Sequence, residues 1–224
     1  VPERRVGNYD GARKMIRESS GPFAVINCIC RQGGDLAHRP CAQTDSRRVC
    51  LTIGPVAQGV IEAGVGEAKT TEETLELLNV ADEDGMVLQP ENSQDPHFVC
   101  FCCGCCCGVL STVKKFPRPA EYVHSNFYAE VSTELCEGCE TCVERCQMDA
   151  LAVDDTCAVD QDRCIGCGLC ISTCPTDALR MVERDDVAVP PKNTQALYKQ
   201  ILAERFGTWG TAKIMARAML GLKI

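Results

Sequence analysis

The sequence has little of what marks membrane, secreted and nucleic-acid-binding proteins. No apolar run in its 224 residues approaches the length of about 18 residues that a transmembrane helix needs. Its first residues carry no secretion signal, and a Val at position 1 is consistent with a processed chain or with part of a longer one. The formal charge of −8 argues against a nucleic-acid surface. These absences predict a cytoplasmic protein with no transmembrane segment and no nucleic-acid partner.

Motifs of the common catalytic chemistries are also missing. No Gly-rich phosphate loop, Ser/His/Asp arrangement or pair of catalytic carboxylates stands out, and the glycines at 33–34 and 64–66 form segments too short to indicate nucleotide binding. We therefore assign no catalytic residue. The three histidines are expected to be ordinary polar residues rather than metal ligands: His38, His97 and His124.

Cysteine is what the chain has in excess. It contains 19 Cys, an odd number, and six of them lie between residues 100 and 107. Adjacent cysteines make a poor disulfide framework, so most of these thiols are expected to be metal ligands in a reducing compartment.

Charge and turn residues divide the chain into the parts of an α+β protein. Residues 130–186 hold 14 Asp and Glu against 4 Arg, whereas residues 192–224 hold six Lys and Arg against one Glu. An acidic module followed by a basic tail is therefore expected. We predict a small Cys-rich α+β domain, a proline-containing linker, a repeat module and a helical tail, at residues 1–112, 113–127, 128–188 and 189–224.

Local patterns predict the elements inside these parts. Thr70 and Glu73 have the spacing of a capping box, Asp10 is a candidate N-cap, and Gly207 separates two helical patterns in the tail. Helices are expected at residues 8–20, 55–63, 70–81, 194–206 and 208–222, and strands at residues 23–30 and 86–88.

An internal repeat at residues 128–183 carries the strongest signal. Two runs with the spacing C-x2-C-x2-C-x3-C begin at Cys136 and Cys164, offset by 28 residues, and each run is followed by Asp-Ala-Leu. Zinc sites usually take two Cys pairs separated by a longer stretch, which two runs of four do not match.

The repeat resembles bacterial two-cluster ferredoxins, whose runs have this spacing. The resemblance implies a ferredoxin-like fold and two [4Fe–4S] clusters, with the fourth Cys of each run serving the other cluster. The implied ligands are Cys136, Cys139, Cys142 and Cys174 for cluster 1, and Cys146, Cys164, Cys167 and Cys170 for cluster 2. Gln147 departs from the family, which has a proline after the fourth Cys, as in Pro175. The repeat contains a ninth cysteine, Cys157, which is expected to be a small buried residue.

Ten further cysteines precede the repeat in two groups. The first is Cys28, Cys30, Cys41 and Cys50, and the second is Cys100, Cys102, Cys103, Cys105, Cys106 and Cys107. On a strand, Cys28 and Cys30 would point to one face, with Arg31 beside them to neutralise a thiolate or a cluster. We expect the first group to bind a third iron–sulfur cluster and the second to supply ligands for a third or fourth. Zinc at one of these sites and a redox-active thiol site are the alternatives.

The whole arrangement is similar to multi-cluster ferredoxin-like proteins of strict anaerobes, in which a C-x-C-R element and a C-C-G-C-C-C-G element precede a two-cluster ferredoxin. This resemblance implies an electron-transfer protein or the electron-transfer subunit of an anaerobic oxidoreductase complex, rather than an enzyme by itself. The basic tail would then dock a redox partner. The other functions considered are a redox-sensing regulator that uses the N-terminal Cys-rich site and a thiol- or disulfide-active reductase subunit.

Overall fold

The structure, a computed structural model, describes residues 4–185 and 187–221. Strands and helices are mixed along this part of the chain, which confirms the predicted α+β class. In chain order the elements are β1 (Arg4–Arg5), α1 (Tyr9–Glu18), β2 (Phe23–Asn27), α2 (Ile29–Leu36), β3 (Arg48–Ile53), α3 (Pro55–Glu62), β4 (Glu67–Lys69), α4 (Thr71–Glu83), β5 (Val87–Pro90), β6 (Phe98–Cys102), α5 (Leu110–Val113), a 3₁₀ turn (Pro119–Glu121), β7 (Val123–His124), β8 (Phe127–Val131), α6 (Thr141–Arg145), β9 (Leu151–Val153), β10 (Cys157–Val159), β11 (Leu179–Glu183) and α7 (Thr194–Met219).

The N-terminal part is built on a five-stranded antiparallel sheet in the order β4-β2-β3-β6-β5. Leu51 and Phe101 point from β3 and β6 into a core that also contains Ile16 of α1 and Leu78 of α4. Because side chains alternate along a strand, the neighbours of Leu51 and Phe101 point to the opposite face. Cysteines 50, 100 and 102 therefore lie on that second face, where 50 and 100 are register partners.

Local capping explains where two N-terminal helices begin. The Asn8 side chain accepts a hydrogen bond from the Gly11 N–H (2.7 Å) and caps α1. The prediction that Asp10 is this cap is wrong, because Asp10 already lies in the first helical turn. The capping box of Thr70 and Glu73 is confirmed at the start of α4.

The strand predicted at residues 23–30 is shorter than expected. A register irregularity between Ile26 and Asn27 ends its pairing with β3. The Cys28 N–H then bonds the Arg47 carbonyl oxygen (2.8 Å), and the chain turns directly into α2. Cysteine 28 is thus the N-cap residue of α2, and Cys30 lies in the first turn of this helix rather than on a strand.

The repeat is visible in the backbone of the module that the sequence predicted at residues 128–188. Strand β8 pairs with β11 and β9 pairs with β10, both antiparallel. Positive φ angles at residues 138, 140 and 149 recur 28 positions later, at residues 166, 168 and 177. At Gly166 (φ 67°) a side chain would overlap the carbonyl oxygen of Phe127, so both the angle and the space require glycine there.

The two cysteine-rich parts share one hydrophobic core. Met148, Ile165 and Leu169 of the repeat module pack in the core cluster that the N-terminal sheet and helices form. Arg145 adds polar contacts, since its guanidinium donates hydrogen bonds to the carbonyl oxygens of Asp82 and Glu83. Within the predicted linker, β7 pairs in parallel with β1. The N-terminal domain and the module are therefore packed against each other.

The tail forms α7, which is interrupted at Gly207 as the sequence predicted. The backbone there is non-helical, with φ 69° and ψ 171°. The first half begins against the sheet, where the Thr194 hydroxyl lies 2.9 Å from His97 Nδ1. In the second half, Trp209 is 89% exposed. Residue 222, the predicted end of the second helix, lies outside the described residues. Among the helices of the described residues, none combines the length and the apolar character that crossing a membrane requires.

Candidate metal centres

Five cysteines of the repeat line a small cavity near the surface, which we call the outer site. Four of them are the residues that the ferredoxin resemblance implied for cluster 1, three from the first run and one from the second: Cys136, Cys139, Cys142 and Cys174. The fifth is Cys157. The Cys157 backbone N–H lies 3.3 Å from Cys136 Sγ, so a main-chain dipole points at one sulfur. Cysteine 139 is exposed, and the outer site therefore reaches the protein surface.

The other four cysteines of the runs line a second cavity, the inner site. They are the residues implied for cluster 2: Cys146, Cys164, Cys167 and Cys170. Backbone N–H groups of Ala150 and Ala129 lie 3.3 Å and 3.4 Å from the sulfurs of residues 146 and 164. The inner cavity is also lined by three apolar residues of the shared core: Met148, Ile165 and Leu169. The inner site therefore faces the N-terminal domain.

The donor sets of both sites suit a [4Fe–4S] cluster. Each has four cysteine sulfurs, as all-Cys cluster ligation needs, and backbone N–H groups directed at those sulfurs. Burial raises the pKa of Cys167 in the inner site to about 12. In contrast, hydrogen bonds from the Thr141 hydroxyl and backbone N–H lower the pKa of Cys139 in the outer site. Cysteine binds iron as the thiolate. Iron must therefore displace a more tightly held proton at Cys167 than at Cys139.

Cys157 is buried beside the outer site, in agreement with the prediction. Its exposed fraction is 3%, and its Sγ lies 3.6 Å from Cys142 Sγ. Burial and the neighbouring Cys142 thiol raise the pKa of Cys157 to about 12. Cys157 lies outside the two C-x2-C-x2-C-x3-C runs, and these runs already supply the outer site with four ligand sulfurs.

The ten N-terminal cysteines are grouped differently from the expectation. Cys41 does not lie with residues 28, 30 and 50, as the sequence had suggested. Its Sγ instead lies 3.6 Å from Cys103 Sγ and 3.7 Å from Cys105 Sγ. Cys103 Sγ is 3.3 Å from Cys105 Sγ and 3.1 Å from Cys106 Sγ. These four sulfurs, here called the sulfur quartet, all lie within 4.8 Å of one another. Only the tertiary structure identifies this set, because Cys41 lies 62 residues before Cys103.

Polar groups around Cys41 favour its thiolate. Burial raises the pKa of this thiol, but the backbone N–H groups of Gln43 and Thr44 and the thiols of Cys103 and Cys106 donate hydrogen bonds that lower it to about 6. Within the quartet these hydrogen bonds favour the thiolate, the form in which cysteine binds metals, at Cys41, whereas burial and the neighbouring Cys103 raise the pKa of Cys105 and Cys106.

The six remaining N-terminal cysteines surround a larger cavity of about 410 Å³, which we call the thiol cavity. They are Cys28, Cys30, Cys50, Cys100, Cys102 and Cys107. Two cysteines of the quartet, Cys103 and Cys106, line the same cavity. The sulfurs of residues 50 and 100, on neighbouring strands, are 3.8 Å apart. The first half of α7 contributes apolar lining through Leu197, Tyr198 and Ile201. The predicted docking tail thus begins as one wall of this cavity.

Arg31 is fully buried and lines the thiol cavity together with Cys103 and Cys106 of the quartet. Its guanidinium donates hydrogen bonds to the Phe101 carbonyl oxygen (3.1 Å) and the Ser46 carbonyl oxygen (3.3 Å). Burial lowers its pKa, but the nearby thiolates of Cys103 and Cys41 outweigh that effect and raise the pKa above its ordinary value. The expected role of Arg31 as a counter-charge to cysteine sulfur therefore agrees with its position.

Gln147, the departure from the ferredoxin pattern, links the quartet to the inner site. Its side-chain oxygen accepts a hydrogen bond from the Gly104 N–H (2.8 Å), and its side-chain nitrogen donates one to the Gly85 carbonyl oxygen (3.0 Å). Gln147 follows Cys146 of the inner site, and Gly104 lies between two cysteines of the quartet. The sequence showed that Gln147 departs from the ferredoxin pattern. It could not show the hydrogen bond to Gly104, because Gly104 lies 43 residues away.

No histidine belongs to a group of potential metal ligands in the described part of the chain. His97, three residues before Cys100, instead contacts Thr194 at the start of α7. His124 Nδ1 lies 2.8 Å from the Ala120 carbonyl oxygen.

Comparison with known proteins identifies the repeat. Residues 129–152 and 158–180 each match the family model of the 4Fe-4S binding domain. One match contains the first run of cysteines and the other contains the second. Residues 129–180 are therefore a ferredoxin module with two [4Fe–4S] clusters, as the sequence predicted. No curated protein matches the chain.

Proposed function

We propose that this protein relays single electrons between its N-terminal domain and a redox partner, as the electron-transfer subunit of an anaerobic oxidoreductase complex in the cytoplasm. The observation that carries the proposal is the order of the sites. The inner site packs against the N-terminal core, and the outer site reaches the surface at Cys139. Such an order suits a protein that connects a buried centre to an external partner.

One-electron oxidation and reduction is the chemistry that the clusters supply when bound. The chain holds them by four cysteine sulfurs each and directs backbone N–H groups at the sulfurs, which favours the reduced state. The 14 acidic residues between positions 130 and 186 act in the opposite direction, because negative charge disfavours the addition of an electron. The shared apolar core excludes water from the inner site more than from the outer site.

A third cluster is proposed in the thiol cavity, with ligands from among its six cysteines. The cavity brings together sulfurs from the start of α2, from two neighbouring strands and from the loop after β6. Arg31 beside them would offset negative charge. These features support a further electron-carrying centre rather than six structural thiols.

Iron and acid-labile sulfide per chain test this part of the proposal on anaerobically purified protein. About twelve of each are expected for three cubane clusters, and the double variant C28S/C30S should lower both to about eight. The matched variant Cys157→Ala removes a cysteine outside the proposed ligand sets and should leave both counts unchanged. A wild-type count of about eight would contradict the third cluster.

The second half of α7 is proposed as the docking segment for the partner. Its exposed apolar side chains include Trp209 (89% exposed), Met219 (88%) and Leu220 (72%). The tail from residue 192 carries six Lys and Arg against one Glu. Apolar side chains beside basic ones fit an acidic surface with an apolar centre on the partner oxidoreductase.

Truncation after Phe206 tests docking, because it keeps the first half of α7 that lines the thiol cavity. In anaerobic extracts of the native cells, the full chain is expected to elute within a larger complex and the truncated chain alone. The matched variant Leu36→Ala, at an apolar residue of α2 that is 80% exposed, should still enter the complex. Elution of the full chain as a free 24.4 kDa protein would contradict docking.

A thiol- or disulfide-active reductase site is the second candidate, because of the size and composition of the thiol cavity. Its volume of about 410 Å³ lies in the range of small-molecule pockets, and eight cysteines line it where a cubane takes four. Reduction of a disulfide substrate by the electron-loaded protein, lost in Cys102→Ser, would favour this function. Equal rates in the wild type and the variant would contradict it.

A further inference from the structure

We propose that the sulfur quartet is a separate single-ion site, in which Cys41, Cys103, Cys105 and Cys106 bind one Zn²⁺. Its four sulfurs are ligands neither of the ferredoxin clusters nor of the cluster proposed in the thiol cavity, although residues 103 and 106 also line that cavity. The zinc site does not depend on the relay function, because a zinc ion carries no electrons.

The spacing of the sulfurs carries the proposal. Thiolates about 2.3 Å from one tetrahedral zinc ion lie about 3.8 Å from each other. Four of the sulfur–sulfur distances in the quartet are 3.1, 3.3, 3.6 and 3.7 Å, and the remaining ones are below 4.8 Å. In a cubane, each thiolate binds a different iron. The distances between the cysteine sulfurs are therefore longer than in a single-ion site, because the iron–iron separation adds to them. The quartet is too tight for that arrangement and has the size of a single-ion site.

The ferredoxin module provides an internal comparison. Its two ligand sets belong to a domain that binds [4Fe–4S] clusters. In the described residues neither set gathers its sulfurs within 4.8 Å, whereas the quartet does. The same chain therefore holds wide sulfur sets where cubanes bind and a narrow set at the quartet.

The surroundings of the quartet suit zinc bound by four thiolates. Such a site carries a net charge of about −2, and the buried Arg31 guanidinium lies against Cys41 and Cys103 to offset it. Tetrahedral sulfur coordination with no open position is typical of structural zinc sites. The quartet is also built from two separate loops, which an ion would join.

Those loops meet next to the inner site, which indicates what the ion does. It fixes residue 41 to the loop 103–106, and this loop is bound to the ferredoxin module through Gly104 and Gln147. A side chain at Gly104 would overlap the carbonyl oxygen of Gln147, so the two segments are in close contact. The zinc site therefore holds the N-terminal domain in place beside Cys146.

Metal analysis with cysteine variants tests the site in the full chain, produced anaerobically with both iron and zinc supplied. The wild type should contain about one zinc per chain, with zinc K-edge absorption showing only sulfur neighbours at about 2.3 Å. Cys105→Ser and Cys41→Ser should each lose at least about 80% of the zinc and retain the wild-type iron content. Residue 105 is exposed, so its variant is expected to fold. Cys157→Ala serves as the control and should keep both metals.

Iron measurements separate this proposal from the relay proposal. Loss of iron instead of zinc in Cys105→Ser, whether one atom or four, would overturn the zinc site. Zinc with nitrogen or oxygen neighbours, or zinc unchanged in both quartet variants, would overturn it as well. A wild-type chain with about eight irons and one sulfur-bound zinc would support the zinc site and remove only the third cluster.

Discussion

The ferredoxin module and the N-terminal domain contain nine and ten cysteines, but they differ in how their ligand sets are assembled. In the module, three ligands of each site come from one short run, and the spacing within that run indicates the site. In the N-terminal domain, the sulfur quartet joins Cys41 to cysteines more than 60 residues later. The spacing of cysteines in the sequence therefore predicts a ligand set where one loop surrounds the metal. It does not predict the set where the fold brings separate loops together.

The two regions also differ in the groups that stabilise the negative charge of the cysteine thiolates. At the inner and outer sites, backbone N–H groups are directed at the sulfurs. In the N-terminal domain, a fully buried arginine lies among the cysteines. A full positive charge offsets several thiolates at once, whereas each backbone N–H group acts on one sulfur.

The largest effect is expected from removal of a ligand in the module. Cys164→Ser should lower the iron content by about four atoms per chain, because all-Cys ligation leaves no replacement ligand. Cys157→Ala should keep the iron content of the wild type, since this thiol is buried beside the outer site without completing a ligand set. Equal iron loss in both variants would show that the C-x2-C-x2-C-x3-C spacing does not identify the ligands of the module.

Arg31→Gln should produce the next largest effect. Loss of the buried positive charge leaves cysteine thiolates without their partner, and we expect the free energy of unfolding to fall by about 3 to 5 kcal/mol. Anaerobic urea unfolding of the metal-loaded protein measures this change. Arg47→Gln, which breaks the exposed contact with Asp35, should lower the free energy of unfolding much less, because water screens an exposed ion pair. Similar costs for the two variants would contradict a charge-compensating role of Arg31.

Gly104→Ala tests the close contact between the two regions. Its side chain would overlap the Gln147 carbonyl oxygen, and we expect a loss of about 1 to 3 kcal/mol in the free energy of unfolding. Gly108→Ala, in the same segment, meets open space and should be nearly neutral. If urea unfolding gave both variants wild-type stability, the contact at Gly104 would not exist in solution.

Gln147→Ala should have the smallest effect of the four. It removes the hydrogen bonds to Gly104 and Gly85, with an expected cost of about 1 to 2 kcal/mol in the free energy of unfolding. Iron content should not change, because Cys146 remains in place. Gln200→Ala is a control at an exposed glutamine of α7, whose contact with Glu204 lies within one helix. A loss of iron in Gln147→Ala would mean that the residue also shapes the inner site.

Features that depend on a few neighbouring residues could be predicted from the amino-acid sequence alone. The two four-cysteine runs predicted the ferredoxin module and its two clusters, because a cluster loop is formed by residues a few positions apart. The capping box of Thr70 and Glu73 predicted the start of α4, and Gly207 predicted the break in α7. Each of these signals acts over one helical turn or one loop.

Which N-terminal cysteines lie together, and which of the two ferredoxin sites faces the N-terminal core, depends on how distant segments of the chain pack. The turn after β2 moved Cys28 and Cys30 onto the start of a helix, and the path of the loop after α2 brought Cys41 to residues 103–106. The contact of Gln147 with Gly104 likewise joins segments 43 residues apart. Such contacts depend on how sheet, helices and module pack together, and packing is a property of the whole fold rather than of any short stretch of sequence.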